Sequence, residues 1–220
     1  MLRKEVLFFA LIVIGLLLVS QTHLGYSFGD SIFRALGIPP WTRADYESGL
    51  HLAVVTGLVF IIAGYIGAVR FYQSRYAKIR SRIILGCIAF VLLFPSVTEK
   101  AMMLLNYHSV SVSSVAYSKK NSQCSFRSED AKMKANCTVT LINYGKEKTV
   151  TVKPYLIRSA ASAKVMFEPM TITLPPHRKV GVSTVFNGEL LDGTGFSGWT
   201  NDIGLEIEVD GLKKRYGKEA

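Results

Sequence analysis

Few residues in this chain are of types and spacings that do chemistry. Gly195-Phe196-Ser197-Gly198-Trp199 begins like the elbow that presents a nucleophilic serine. However, Trp199 stands where the final glycine belongs, and the surroundings read as β-structure rather than a strand-to-helix turn. There is no phosphate-cradling glycine loop, no His-Glu-x-x-His and no Cys-x-x-Cys. His23, His51 and His108 fall near one predicted membrane boundary, where Glu47 and Glu99 could join them in a metal or proton site. Membrane depth constrains such residues but lateral position does not follow from it, so separate interfacial side chains are the simpler expectation. No catalytic residue, metal or cofactor is expected, and the chain reads as a non-enzyme.

The cysteines are more informative. Cys124 and Cys137 lie symmetrically about the polar stretch Ser128 to Lys132, so a hairpin there brings them opposite one another. A disulfide closing so short a loop contributes on the order of 2 to 3 kcal/mol and persists in an oxidising compartment. With no Cys-x-x-Cys spacing and no nearby histidine, metal binding by this pair is disfavoured. Cys87 lies in an apolar run and reads as a packing residue. Asn136-Cys137-Thr138 has the form of a glycosylation acceptor, but a strand position and a disulfide-bonded middle residue weaken it. The segment Gly188 to Asp202, with Gly188, Gly193, Gly195 and Gly198, reads as a loop that could display Phe196 and Trp199 to a ligand, a partner or the membrane. The alternative is that both rings pack back on the core.

The elements that carry these residues divide the chain in two. Apolar residues crowd the first 105 positions, and three membrane-spanning helices are expected at about 6–26, 50–69 and 83–105. The third is kinked near Pro95, and the basic start of the first also fits a signal peptide, although no A-x-A-like site follows it. Within the second, Ala53, Gly57, Gly64 and Ala68 share one helical face, which suits close helix packing in lipid. No span carries an acidic or basic residue at mid-depth, which disfavours transport. Between the first two spans, 27–49 reads as an interfacial element: a short helix Ser31 to Leu36 capped by Asp30 and ended by Gly37, then Trp41 as a membrane-interface anchor. The following helix is expected to begin near Arg43, from a Thr42-Arg43-Ala44-Asp45 capping box.

Charge sets the orientation. The connection between spans two and three holds Arg70, Arg75, Lys78, Arg80 and Arg82 without an acid, and the N-terminus holds Arg3 and Lys4. Both are expected in the cytoplasm, with everything after Leu105 on the far side.

From 108 to 220 the hydrophobic period changes to two. Ala135, Cys137, Val139 and Leu141 alternate with polar residues, as do Val150 and Val152, then Val180, Val182 and Phe186. Ile203, Leu205, Ile207 and Val209 alternate up to Asp210-Gly211, a two-residue hairpin signal leading into Leu212 to Tyr216. With strands at Val110 to Tyr117, around Cys124 and at Val165 to Leu174, seven or eight strands result, which suggests an immunoglobulin-like β-sandwich. From Glu99 onward 17 Lys and Arg face 12 Asp and Glu, and clusters Lys119-Lys120, Arg178-Lys179 and Lys213-Lys214-Arg215 read as solvated faces able to meet anionic surfaces. The fold expected is thus a three-helix membrane bundle plus an extracytoplasmic all-β domain, which excludes nucleic acid as a partner. The functional expectation is a membrane-anchored binding or assembly protein engaging an envelope polymer or a membrane-protein partner. A stress-sensing subunit acting through a partner, and an envelope enzyme with an unrecognised site, are the alternatives.

Overall fold

The structure, a computed structural model, describes residues 4–43, 48–129, 132–156, 165–191, 196–201 and 203–217. It divides into two compact units, Met1–Glu99 and Lys100–Ala220.

In the first unit the apolar run after Lys4 forms helix α1, Lys4–Val19. The helix was expected to continue to Tyr26, but it stops at Val19 because the chain folds back on itself. Thr22 N–H donates to the Tyr26 carbonyl (2.9 Å), Gly25 takes a φ of +85°, and Phe28 N–H donates to the Ser20 carbonyl (3.1 Å). At about 1.5 Å per residue, a helix of 16 residues reaches roughly 24 Å, short of the roughly 30 Å apolar core of a bilayer. Helix α2, Phe28–Ala35, is capped by Ser27 rather than Asp30: the Ser27 hydroxyl accepts from Asp30 N–H at 3.2 Å. It ends on Gly37 (φ +73°) as expected. Gly37 N–H reaches the Arg34 carbonyl and Ile38 N–H the Phe33 carbonyl, the paired bonds of a Schellman motif.

The expected helix start at Arg43 is replaced by a small antiparallel hairpin, β1 (Trp41–Arg43) and β2 (Ser48–His51). Thr42 does not cap a helix; its hydroxyl accepts from Leu50 N–H across the hairpin (3.0 Å), and Asp45 lies outside the described residues. Helix α3, Leu52–Tyr72, follows, then a basic turn and helix α4, Ile79–Leu105, which runs through Pro95. Of the three expected spans, α3 and α4 are long and apolar enough to cross a membrane, while the apolar part of α1 is shorter. Helices α1 and α3 lie antiparallel in close contact. A Cβ on Gly57 would fall 2.9 Å from the Gly15 carbonyl oxygen, and one on Gly64 2.7 Å from that of Phe8. Ile79, Ile83, Cys87 and Phe90, one face of α4, pack on the cluster of Ile12, Leu16, Ala68 and Val69. The rest of α4 turns large side chains outward, including Leu85, Leu92 and Leu104.

The second unit is built of antiparallel strands. These are β3 (Val115–Glu129), β4 (Lys132–Asn143), β5 (Thr149–Leu156), β6 (Val165–Phe167), β7 (Met170–Thr173), β8 (Arg178–Leu190), β9 (Ser197–Thr200), β10 (Ile203–Val209) and β11 (Leu212–Tyr216). One sheet has the order β6-β8-β4-β3-β9 and the other β11-β10-β5-β7. The alternating residues of the sequence face inward: Ala135, Val139, Leu141, Val150, Val152, Leu205 and Ile207 are buried. Hydroxyls stitch the two sheets together, with Tyr117 on β3 donating to the Ile203 carbonyl (3.3 Å) and Tyr216 on β11 donating to the Val115 carbonyl (2.7 Å).

Three strand expectations change. Val110 to Val112 precede β3 in a bend and a 3-10 turn, and β3 joins the expected strands near Tyr117 and Cys124 into one irregular strand. The expected strand Val165 to Leu174 is two, β6 and β7, in different sheets, because Glu168-Pro169 interrupts it and Pro169 has no N–H for a ladder. Nine strands are therefore described in this unit where seven or eight were expected.

Candidate functional site

The irregularity of β3 builds the most distinctive surface of the second unit. The β3–β4 register runs from Ser118 opposite Thr140 to Gln123 opposite Thr138, so five steps along β3 answer two along β4. The surplus is folded around Ser122. Its hydroxyl donates to the Ser118 carbonyl (2.7 Å) and accepts from Thr140 N–H (2.9 Å), while the Thr140 hydroxyl donates to the Asn121 carbonyl (2.9 Å). Such bulges re-aim the side chains around them. Beyond the bulge, Cys124 and Phe126 point inward, and Gln123 and Ser125 face solvent.

Gln123 and Ser125 stand directly across from Thr138 and Asn136 on β4, and Ser125 is flanked on its other side by Trp199 of β9. Gln123, Cys124, Ser125, Asn136, Thr138 and Trp199 line a shallow depression of about 190 Å³. A second of about 330 Å³ shares Gln123 and Thr138 and extends to Lys120, Asn121, Ser122 and Asn201. The Cys124–Cys137 disulfide joins the two strands beneath, with Cα atoms 4.1 Å apart, and thereby fixes the register of the floor. Trp199 is 75% exposed. Chemically the groove offers amides and hydroxyls that both donate and accept, one ammonium at its end, one broad apolar ring and no carboxylate among its lining residues.

The aromatic pair expected to act from a common loop is separated. Trp199 sits on the solvent face of β9, whereas Phe196, three residues earlier, places its ring 5.8 Å from that of buried Phe126. Odd spacing along an extended chain sends side chains to opposite faces. Gly188 belongs to β8, paired with Met133 and Phe167, and residues 192–195 lie outside the described residues, so little of the expected loop is described as loop. Ser197 stands on a strand opposite Arg127, in no nucleophile elbow.

The histidines of the first unit have separate partners. His51 Nε2 is 2.6 Å from Asp30 Oδ1, and the His51 ring stacks on Trp41 at 4.2 Å, nearly parallel. Trp41, expected as a membrane anchor, braces His51 across the hairpin, and the His51–Asp30 contact ties the hairpin to α2. His23 Nδ1 meets the Thr98 hydroxyl (3.0 Å), which in turn donates to the Pro95 carbonyl (2.8 Å). In the second unit His108 is exposed beside Tyr107. No group of three or more His, Cys, Asp or Glu able to hold a metal is found among the described residues, and Glu47 lies outside them.

The basic residues fall into two kinds. Arg70, Arg75, Lys78, Arg80 and Arg82 are all exposed around the α3–α4 turn, with Arg75 over the Phe71 ring and Arg80 donating to Gln73 Oε1 (3.3 Å). On β11, by contrast, Arg215 binds Glu206 at 2.6 Å and Lys213 reaches both Glu206 and Glu208. The Arg215 guanidinium holds the Glu206 carboxyl below its ordinary range. Lys214 lies 4.9 Å over the Tyr216 ring, where burial pushes its ammonium down. Lys213 and Arg215 pair with the acids of β10 while staying largely exposed, so this stretch is a solvated face of mixed charge.

The chain matches no family model, no curated protein and no solved structure. The groove was only partly legible from sequence. Trp199 was singled out, and the amides and hydroxyls occupy the polar positions of an alternating pattern, but nothing in the pattern marks Ser122 as the residue that closes a bulge.

Proposed function

We propose that this chain is a membrane-anchored binding protein that uses the solvent face of its five-stranded sheet, on the extracytoplasmic side, to engage an envelope component or a membrane-protein partner. The observation that carries this reading is Trp199. Trp199, 75% exposed beside a groove of polar side chains, supplies the kind of aromatic platform that anchors contacts when a partner covers it.

The rest of the molecule is consistent with that role. Helices α3 and α4 supply the membrane crossing, and α1, packed antiparallel along α3 from Gly15 to the level of Gly67, completes a three-helix anchor whose short apolar length the bilayer accommodates by local thinning. The exposed basic turn 73–78 with its flanks faces the cytoplasm, and the β unit follows on the far side, where its disulfide persists. The sheet orders support an immunoglobulin-like sandwich. With β3, β4, β8 and β6 taken as A, B, E and D, and β5, β10 and β11 as C, F and G, β7 lies beside C where a C′ strand would but follows β6 in the chain, and β9 is an added edge strand beside A. The disulfide differs from the inter-sheet bridge of antibody domains: it joins neighbouring strands A and B and so braces a face.

Coverage of this face is testable by thiol footprinting with a membrane-impermeant maleimide. Leu212→Cys, on the other sheet, is expected to label readily in intact cells, and Ser197→Cys, beside Trp199, to label at least severalfold more slowly there than in the purified chain. Equal labelling of the two positions in cells would overturn the binding reading; labelling of Leu212→Cys only after lysis would overturn the location.

A further inference from the structure

We infer that the groove between Trp199 and Lys120 binds a sugar chain, a neutral or weakly anionic oligosaccharide. The inference rests on the binding reading above and names the ligand class for the same face.

The lining selects this class by its chemistry. A pyranose has apolar C–H faces and a rim of hydroxyls that each donate and accept. The groove presents the counterpart: one exposed indole as an apolar platform with the amides and hydroxyls of Gln123, Ser125, Asn136 and Thr138 beside it, and the amides of Asn121 and Asn201 further along. A cationic ligand would find no carboxylate among these residues. A strongly anionic one would find a single ammonium, that of Lys120, at one end.

A peptide fits less well. Recognition by strand addition uses free backbone N–H and C=O groups at a sheet edge. At the Trp199 end the groove crosses the faces of β9, β3 and β4, where the backbones are paired at Ser125 with Trp199 and at Cys124 with Cys137. Recognition at that end must therefore come from side chains, and Trp199 and Cys124 are the only apolar residues among the described residues lining the two depressions, which leaves no apolar pocket there for a peptide's anchor residue. The two depressions share Gln123 and Thr138 and follow β3 from Lys120 to Ser125, which suits a chain of linked rings rather than one. The Cys124–Cys137 bond and the Ser122 bulge hold the lining in place before ligand arrives, which lowers the ordering cost of binding.

The chain contains two tryptophans, so Trp41→Phe leaves Trp199 as the sole indole reporter. Phenylalanine at 41 keeps an aromatic face for His51. The full chain carrying Trp41→Phe, in a detergent without a sugar headgroup, is titrated with chitotetraose and with cellotetraose while Trp199 fluorescence and its quenching by acrylamide are followed. A saturable change with at least one sugar is expected, with Trp199 shielded from the quencher. Gln123→Ala and Asn136→Ala should each raise the Kd about threefold to tenfold, as loss of one hydrogen bond implies. By calorimetry, Trp199→Ala should abolish binding and Leu212→Ala leave it unchanged. Absence of a saturable response to either sugar, or a Kd unaffected by both Gln123→Ala and Asn136→Ala, would overturn the inference. If Ser197→Cys is nonetheless protected in cells, the face is occupied by something other than a sugar: the binding reading stands and this one falls.

Discussion

At the scale of single residues, Cys124 and Cys137 show how far spacing alone carries. Their symmetry about a polar turn put them across from each other, and the register pairs them directly. Their separation of 13 residues closes a loop whose constraint is worth about 3 kcal/mol in the chain-entropy account. The Cys124→Ser, Cys137→Ser double variant of the full chain is therefore expected to unfold its β unit with about 3 kcal/mol less stability. Denaturant unfolding in detergent, with and without reductant, checks this, and wild-type protein should lose the same amount when reduced. Trp199 shows the limit of the same approach. Its size and its glycine-rich surroundings marked it for contact, but the face it occupies depends on parity within β9 and on pairing with Ser125, a contact between strands far apart in sequence. Phe196, equal in promise by sequence, lies against Phe126 for the same reason of parity.

Elements were legible where local and long-range preferences agree. Ile203 to Val209 alternate cleanly and Asp210-Gly211 both take positive φ, +49° and +79°, so β10 and β11 pair at Val209 and Leu212 as the residues imply. Where a local signal competes with tertiary contact, the contact wins. Thr42 resembles a helix cap but bonds Leu50 across a hairpin, and the apolar run of α1 ends where Thr22 and Gly25 turn the chain back. The small-residue face of α3 was visible in sequence, and its partner in the structure is α1. Gly57→Leu forces side-chain atoms into the space now held by Val19 and the Gly15 backbone, while a Cβ on Gly86 of α4 meets nothing within 4 Å. Gly57→Leu is expected to destabilise the helical unit by about 1 to 3 kcal/mol, in the range of overpacked cores. Gly86→Ala should leave it undiminished or raise it by about 0.5 to 1 kcal/mol, as Ala is the better helix former. Thermal denaturation of the detergent-solubilised chain distinguishes the two, and equal melting of both variants would contradict the packing described.

At the scale of the whole molecule, the change of hydrophobic period near 105 marks the passage from helix to strand, and α4 runs without a break through Pro95 to Leu105 before the first strand of the β unit. The bulged groove was the least legible feature, since it depends on a register shift that joins Ser122 to Ser118 and Thr140. The central claim is that the β unit stands outside the membrane on a helical anchor whose basic turn stays within the cytoplasm. The most direct measurement uses a Cys87→Ala background with single exposed thiols at Ala77→Cys in the basic turn and Lys146→Cys between β4 and β5. A membrane-impermeant maleimide applied to intact cells should label Lys146→Cys and spare Ala77→Cys until the membrane is opened. Labelling of Ala77→Cys in intact cells with Lys146→Cys protected, or free access to both, would contradict the account.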